Sequence, residues 1–139
     1  MAKILCVDDD RDVIEFCKAT LETMGHEILT ARSGKEGFTK AVEEKPDLIL
    51  LDVMMDDTTD GLQTAYKLRG EESIKFTPIL MLTSINQKLG YNFKRESDGA
   101  YLPVDDFVEK PISSKELMEK SKHLLGLKKE EVNVNGISE

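Results

Sequence analysis

Apolar residues fall along this chain in short runs separated by longer amphipathic stretches. The runs are Ile4–Val7 (from Lys3), Ile28–Ala31, Leu48–Leu51, Ile79–Leu82 and the pair Phe107–Val108. Leu48–Leu51 is bracketed by Pro46-Asp47 and Asp52. Its length and turn-forming borders predict a strand covered on both faces, as in a parallel sheet. Between the runs the spacing becomes helical. Val13, Ile14, Cys17, Leu21 and Met24 predict a helix over 10–24, with Gly25 as its terminator. Phe38, Ala41 and Val42 follow Ser33-Gly34, and Pro46 closes that helix. A third helix starts near Leu62, with Ala65, Tyr66 and Leu68 on one face. The last is capped by Ser113 or Ser114, carries Leu117, Met118, Ser121, Leu124 and Leu125, and is expected to stop at Gly126. Residues 85–104 are less legible: Ile85, Leu89 and Phe93 share a helical spacing that Gly90, Gly99 and Pro103 interrupt. Strands alternating with helices predict an α/β fold, a doubly wound five-stranded parallel sheet with helices on both faces and right-handed crossovers.

At 139 residues the chain suits one domain, expected over residues 1–126, with a polar tail over 127–139 read as loose. Apolar residues make up 40% and charged ones 33%, which argues against wholesale disorder. The formal net charge of -8 excludes a surface built for non-specific contact with nucleic acid or anionic lipid. No apolar stretch reaches membrane-spanning length, and residues 1–7 are too short for a signal peptide. A cytoplasmic location is therefore expected. Cys6 and Cys17 sit in apolar patterns without ligand spacing and read as core residues. His26 and His123 stand apart from any acidic cluster.

The chemistry gathers at the carboxyl ends of the runs. The first ends at Asp8, Asp9 and Asp10, the third at Asp52, the fourth at Thr83 and Ser84, and the fifth at Lys110 before Pro111. Singly, each has an ordinary explanation: Asp10 caps a helix, and a hydroxyl after a strand often does the same. In a parallel sheet, however, all these ends lie along one edge, where open α/β sheets place their sites. Clustered carboxylates without His or Cys suit a hard divalent cation, magnesium above all. A hydroxyl and a lysine beside them suit a trianionic group. The central Asp52 is the natural nucleophile, and the expected product is a phospho-aspartate.

With these residues in place, the chain resembles the receiver domain of two-component response regulators over roughly residues 2–126. The resemblance implies a flavodoxin-like strand order, 2-1-3-4-5. It implies that Asp52 is the phosphorylation site and that Asp8, Asp9, Asp52 and the backbone carbonyl of Met54 hold Mg2+. Thr83, with Ser84 beside it, and Lys110 would bind the phosphoryl group, Phe107 would be the aromatic switch, and the Lys110–Pro111 bond would be cis. It further implies a sensor histidine kinase or phosphotransfer protein as partner, a downstream protein target, and a signalling module rather than an enzyme.

The chain departs from the family pattern in the loop after Asp52, where Asp56 replaces the usual proline and the loop is one residue longer. It also departs between Thr83 and Lys110, where about 86–104 looks inserted. No output domain follows within the sequence, so direct DNA binding is not expected, and pairing into a homodimer stays open. Met54 and Ile85 are apolar and flank the expected path of attacking water, so slow self-dephosphorylation is expected. Three other readings compete: a receiver-shaped module that is never phosphorylated, a phosphohydrolase with its nucleophile after the first strand, and a flavin-binding protein. The first is expected to have lost the acidic pair, the acceptor or the lysine. The second needs more substrate-binding structure, and the third a hydroxyl- and glycine-rich loop after the first strand.

Overall fold

In the computed structural model, residues 1–52, 60–84 and 103–137 are described. Strands β1 (Lys3–Val7), β2 (Glu27–Ala31), β3 (Leu48–Asp52), β4 (Ile79–Ser84) and β5 (Asp106–Lys110) form one parallel sheet. The order is β2-β1-β3-β4-β5, as the resemblance implies. Among the described residues there are four helices, α1 (Arg11–Glu22), α2 (Gly34–Glu44), α3 (Asp60–Gly70) and α4 (Ser114–Ile137), and a 3-10 turn at Glu72–Ile74.

Strand side chains alternate between the two faces of the sheet, and each face is covered. Ile4, Cys6, Leu48, Leu50, Leu80, Leu82 and Val108 pack with Ile14, Cys17 and Leu21 of α1 and Leu117 and Leu124 of α4. Leu5, Val7, Ile49, Leu51, Ile79 and Met81 pack with Ala41 of α2, Ala65 and Leu68 of α3, and Val104. The five residues of β3 are all buried, which explains why its sequence is continuously apolar until Asp52. Both cysteines are buried and free, and hydrogen bonding to Cys17 together with burial holds the Cys6 thiol well above its ordinary pKa. They are core residues.

The caps explain the element boundaries. Asp10 accepts the Asp12 N–H at the start of α1, and Ser33 accepts the Glu36 N–H at the start of α2. Ser113, rather than Ser114, does this for α4, its hydroxyl 3.3 Å from the Glu116 nitrogen. Gly25, with φ of 86°, turns the chain after α1. Lys45 takes the left-handed position after α2, so that Pro46 follows the helix rather than stopping it directly.

Two expectations need correction. Tyr66 does not share the buried face of α3: it is 58% exposed, whereas Thr64, Ala65 and Leu68 are buried. At about 100° per residue, 64, 65 and 68 lie within one sector of about 100°, and Tyr66, a further step of about 100° beyond Ala65, falls outside it. Gly126 does not end the last helix, whose backbone continues to Ile137. A glycine terminates a helix where the chain turns left-handed, and inside one it costs only about 1 kcal/mol relative to Ala. Met54, Ile85 and the loop bearing Asp56 lie outside the described residues, as does the expected insertion except for Pro103 and Val104.

Gly37 sets how closely α2 approaches the sheet. A Cβ there would stand 2.8 Å and 2.9 Å from the two methyl groups of Val7, itself 1% exposed. Valine is short, branched and packed on all sides, so it has nowhere to withdraw. Gly37→Ala gains about 1 kcal/mol of helix propensity but overpacks the core by about 1–3 kcal/mol. The expected net result is destabilisation by about 1 kcal/mol in urea unfolding, and a more stable Gly37→Ala protein would refute this packing argument.

Candidate functional site

Register and pleat bring the polar strand ends together. Val7 pairs with Leu51, so Asp8, whose N–H continues the ladder to the Ala31 carbonyl, stands beside Asp52. Cys6, Leu50 and Val108 point to the α1–α4 side of the sheet. Two residues further on, Asp8, Asp52 and Lys110 share that side by the same alternation. One oxygen from each of Asp8, Asp9 and Asp52 lies within 4.8 Å of the others. The Lys110 ammonium is 3.1 Å from Asp8 Oδ2 and 3.5 Å from Asp52 Oδ2. Leu82 pairs with Asp52 and Ser84 with Lys110, so Thr83 lies at the same edge, one step beyond the acceptor's partner. The Lys110–Pro111 peptide is cis.

The cluster is unusually dry for its charge. Asp8 is 0% and Asp52 1% exposed, and Thr83 is buried. Asp8 Oδ1 is held by the Asp10 N–H, which ties the acidic pair to the first turn of α1. Asp8 Oδ2 accepts no aligned hydrogen bond although it is buried; the nearby lysine offers it charge without good hydrogen-bond geometry. Burial pulls the pKa of the Lys110 ammonium down, but the Asp52 and Asp8 carboxylates outweigh it and the net shift is upward. The lysine is therefore fully charged across the physiological range.

An orphaned, buried carboxylate oxygen within a set of three carboxylates and no soft ligand fits a hard cation such as Mg2+. The site residues expected from sequence thus divide into groups. Asp8, Asp9, Asp52 and Lys110 are brought into one cluster, and Thr83 is placed on its edge. Ser84 is described only in its backbone, and Met54 not at all. Phe107 sits on the opposite face of β5 from Lys110, packed against the α2–α3 core.

Lys120 does not stand out in the sequence as a site residue. Its ammonium lies 2.6 Å from the Phe107 carbonyl oxygen and 4.9 Å from the centre of the Phe107 ring. In sequence it looks like half of a surface Glu116–Lys120 helix pair, and nothing local shows that α4 crosses the end of β5 at that turn.

Comparison with known proteins agrees with this geometry. The family described as the response regulator receiver domain matches residues 4–122. The chain is 37% identical over 123 residues to the alkaline phosphatase synthesis transcriptional regulatory protein PhoP of Bacillus subtilis, covering 88% of this chain and 48% of that one. It is 34% identical over 122 residues to the phosphate regulon transcriptional regulatory protein PhoB of Pseudomonas aeruginosa, covering 88% and 51%. The chain therefore spans about half the length of these curated relatives. The chemotaxis protein CheY4 of Vibrio cholerae superposes with a TM-score of 0.76 at 31% identity, over 89% of this chain and 98% of that one. With the sheet order, the acidic cluster and the lysine on the same edge, these matches establish that the chain belongs to the response regulator receiver domain family.

Proposed function

We propose that this receiver domain takes a phosphoryl group onto Asp52 from a phosphohistidine of a sensor histidine kinase or phosphotransfer protein, and signals to a protein partner by a change of conformation. The observation that carries this reading is the buried juxtaposition of Asp52 with Asp8 and the Lys110 ammonium. In the proposed transfer an Asp52 carboxylate oxygen attacks phosphorus and the P–N bond breaks. Its electron pair stays on the imidazole nitrogen, which then takes a proton. Lys110 neutralises one equatorial oxygen and Thr83, with Ser84, donates a hydroxyl to another. Asp8, Asp9, Asp52 and the Met54 carbonyl would hold Mg2+; the part of Met54 rests on the resemblance. Bound there, the cation would supply charge neutralisation for the phosphoryl transfer.

The unit doing this is proposed to be residues 1–126, with about 86–104 as an insertion that shapes the partner surface, in a cytoplasmic protein. The acidic balance of the chain favours a protein target over nucleic acid. Among the described residues no helix is long and apolar enough to cross a membrane. Phosphate on Asp52 would draw Thr83 towards it and Phe107 inward, biasing an existing two-state equilibrium.

The experiment is intact-mass measurement after incubation with acetyl phosphate. One phosphoryl group is expected with Mg2+ and none with chelator, and peptide mapping should place it on Asp52. Asp52→Asn is expected to remain unmodified. A wild-type mass that never changes with any activated donor would sink the proposal, and so would phosphorylation mapped to Asp8.

A further inference from the structure

Among the described residues, strand β5 is at the edge of the sheet, hydrogen-bonded to β4 alone. Its outer side therefore presents backbone groups that no described strand satisfies. Lys120 of α4 reaches this edge at one residue. Its ammonium donates to the Phe107 carbonyl oxygen at 2.6 Å and stands 4.9 Å from the centre of the Phe107 ring. Two carboxylates aim it there, Asp106 Oδ1 at 3.4 Å and Glu116 Oε2 at 3.3 Å. The Lys120 side chain is only 27% exposed, although a lysine free to follow hydration would extend into solvent.

We infer that Lys120 is a positioning residue for Phe107: it holds the half-buried ring and its backbone in the conformation seen here, and so sets how readily the ring moves inward. This rests on the proposed role of Phe107 as the element that follows phosphate. The physical argument is local. A cation attracts an aromatic face only at short range, and the carbonyl contact fixes the strand that carries the ring. A ring drawn deeper into the α2–α3 core leaves the ammonium, so Lys120 opposes that movement. Lys120 touches none of Asp8, Asp52, Thr83 or Lys110 in the contacts described, so its influence on the phosphoryl site would be a coupling between two places. Such a coupling has a fixed sign: a change that frees the ring must tighten binding of a phosphate mimic, by at most the factor by which it shifts the ring's equilibrium.

The test uses the whole chain, beryllofluoride with Mg2+ as the phosphate mimic, and 4-fluorophenylalanine placed at position 107. Lys120→Met keeps the stem and removes the charge, Lys120→Arg keeps the charge, and Lys120→Gln is read in its place if the Met protein does not fold. Lys120→Met should bind beryllofluoride roughly 3–10-fold more tightly than wild type. Its fluorine resonance without mimic should lie part of the way to the wild-type saturated position, and Lys120→Arg should restore both readings. Unchanged or weaker binding in the Met or Gln protein, while wild type responds to the mimic, overturns this inference alone. A wild-type protein whose resonance never responds to beryllofluoride overturns it together with the phosphoacceptor reading.

Discussion

Lys110→Met is expected to destabilise the domain by about 3 kcal/mol, the cost of breaking a buried ion pair and leaving its partners behind. Two nearly inaccessible carboxylates, Asp8 and Asp52, face this ammonium at 3.1 Å and 3.5 Å. Methionine matches the aliphatic stem, so packing is nearly conserved and the loss is electrostatic. The pH dependence follows from the raised pKa of the lysine. In the unfolded chain the ammonium titrates near its ordinary 10.5, and in the folded one above it. Its stabilising contribution is thus complete below about pH 10.5 and is lost as pH rises through the folded-state pKa. Urea titrations should show a constant deficit for Lys110→Met at neutral pH that narrows in strongly alkaline solution. A deficit below about 1 kcal/mol at pH 7 would mean that the buried acids are not relying on this lysine. Phosphoryl uptake at Asp52 should fall at least about 100-fold in the same variant, since the developing charge loses its fixed cation.

Asp8→Asn carries the opposite sign. At an effective dielectric of about 20, the attraction between Asp8 and Lys110 at 3.1 Å is worth about 5 kcal/mol. Repulsion from Asp9 and Asp52, each with an oxygen within 4.8 Å, is worth about 3.5 kcal/mol apiece. Burying the Asp8 carboxylate costs several kcal/mol more. The repulsive and desolvation terms win, so removing this charge should stabilise the fold by about 1–3 kcal/mol, despite the lost ion pair. Asparagine keeps the oxygen that accepts the Asp10 N–H, so α1 should start as before. Differential scanning calorimetry in chelator is expected to show a melting temperature raised by about 5 °C. Millimolar Mg2+ should raise the wild-type melting temperature by binding the native state alone, and should leave Asp8→Asn unmoved. A less stable Asp8→Asn protein in chelator would refute the claim that the cluster is held together against its own repulsion. A site kept anionic and dry would bind a cation better than a relaxed one.

The fold was largely legible because its signals are local and repeated. Five apolar runs, each too short for a buried helix, alternate with helical spacing, and few architectures accommodate that rhythm. The cluster of Asp8, Asp9, Asp52 and Lys110 was legible for a related reason. Parallel strands put their carboxyl ends on one edge, so position in the run implied position in space. Two signals point elsewhere: residue type marks Gly126 as a helix stop and spacing puts Tyr66 with Ala65 and Leu68, whereas the helix runs on to Ile137 and the inward stripe of α3 follows Thr64, Ala65 and Leu68.

Sequence by itself determined the element order, the doubly wound class and the edge on which acids, hydroxyl and lysine collect, because periodicity and strand direction are properties of the chain. Tertiary structure alone decided the rest. It set the 3.1 Å and 3.5 Å approaches of one ammonium to two buried carboxylates, and the placing of a helical lysine over the Phe107 ring. Those depend on how far one element stands from another, and distances between elements are set by packing across the core, which no local pattern encodes.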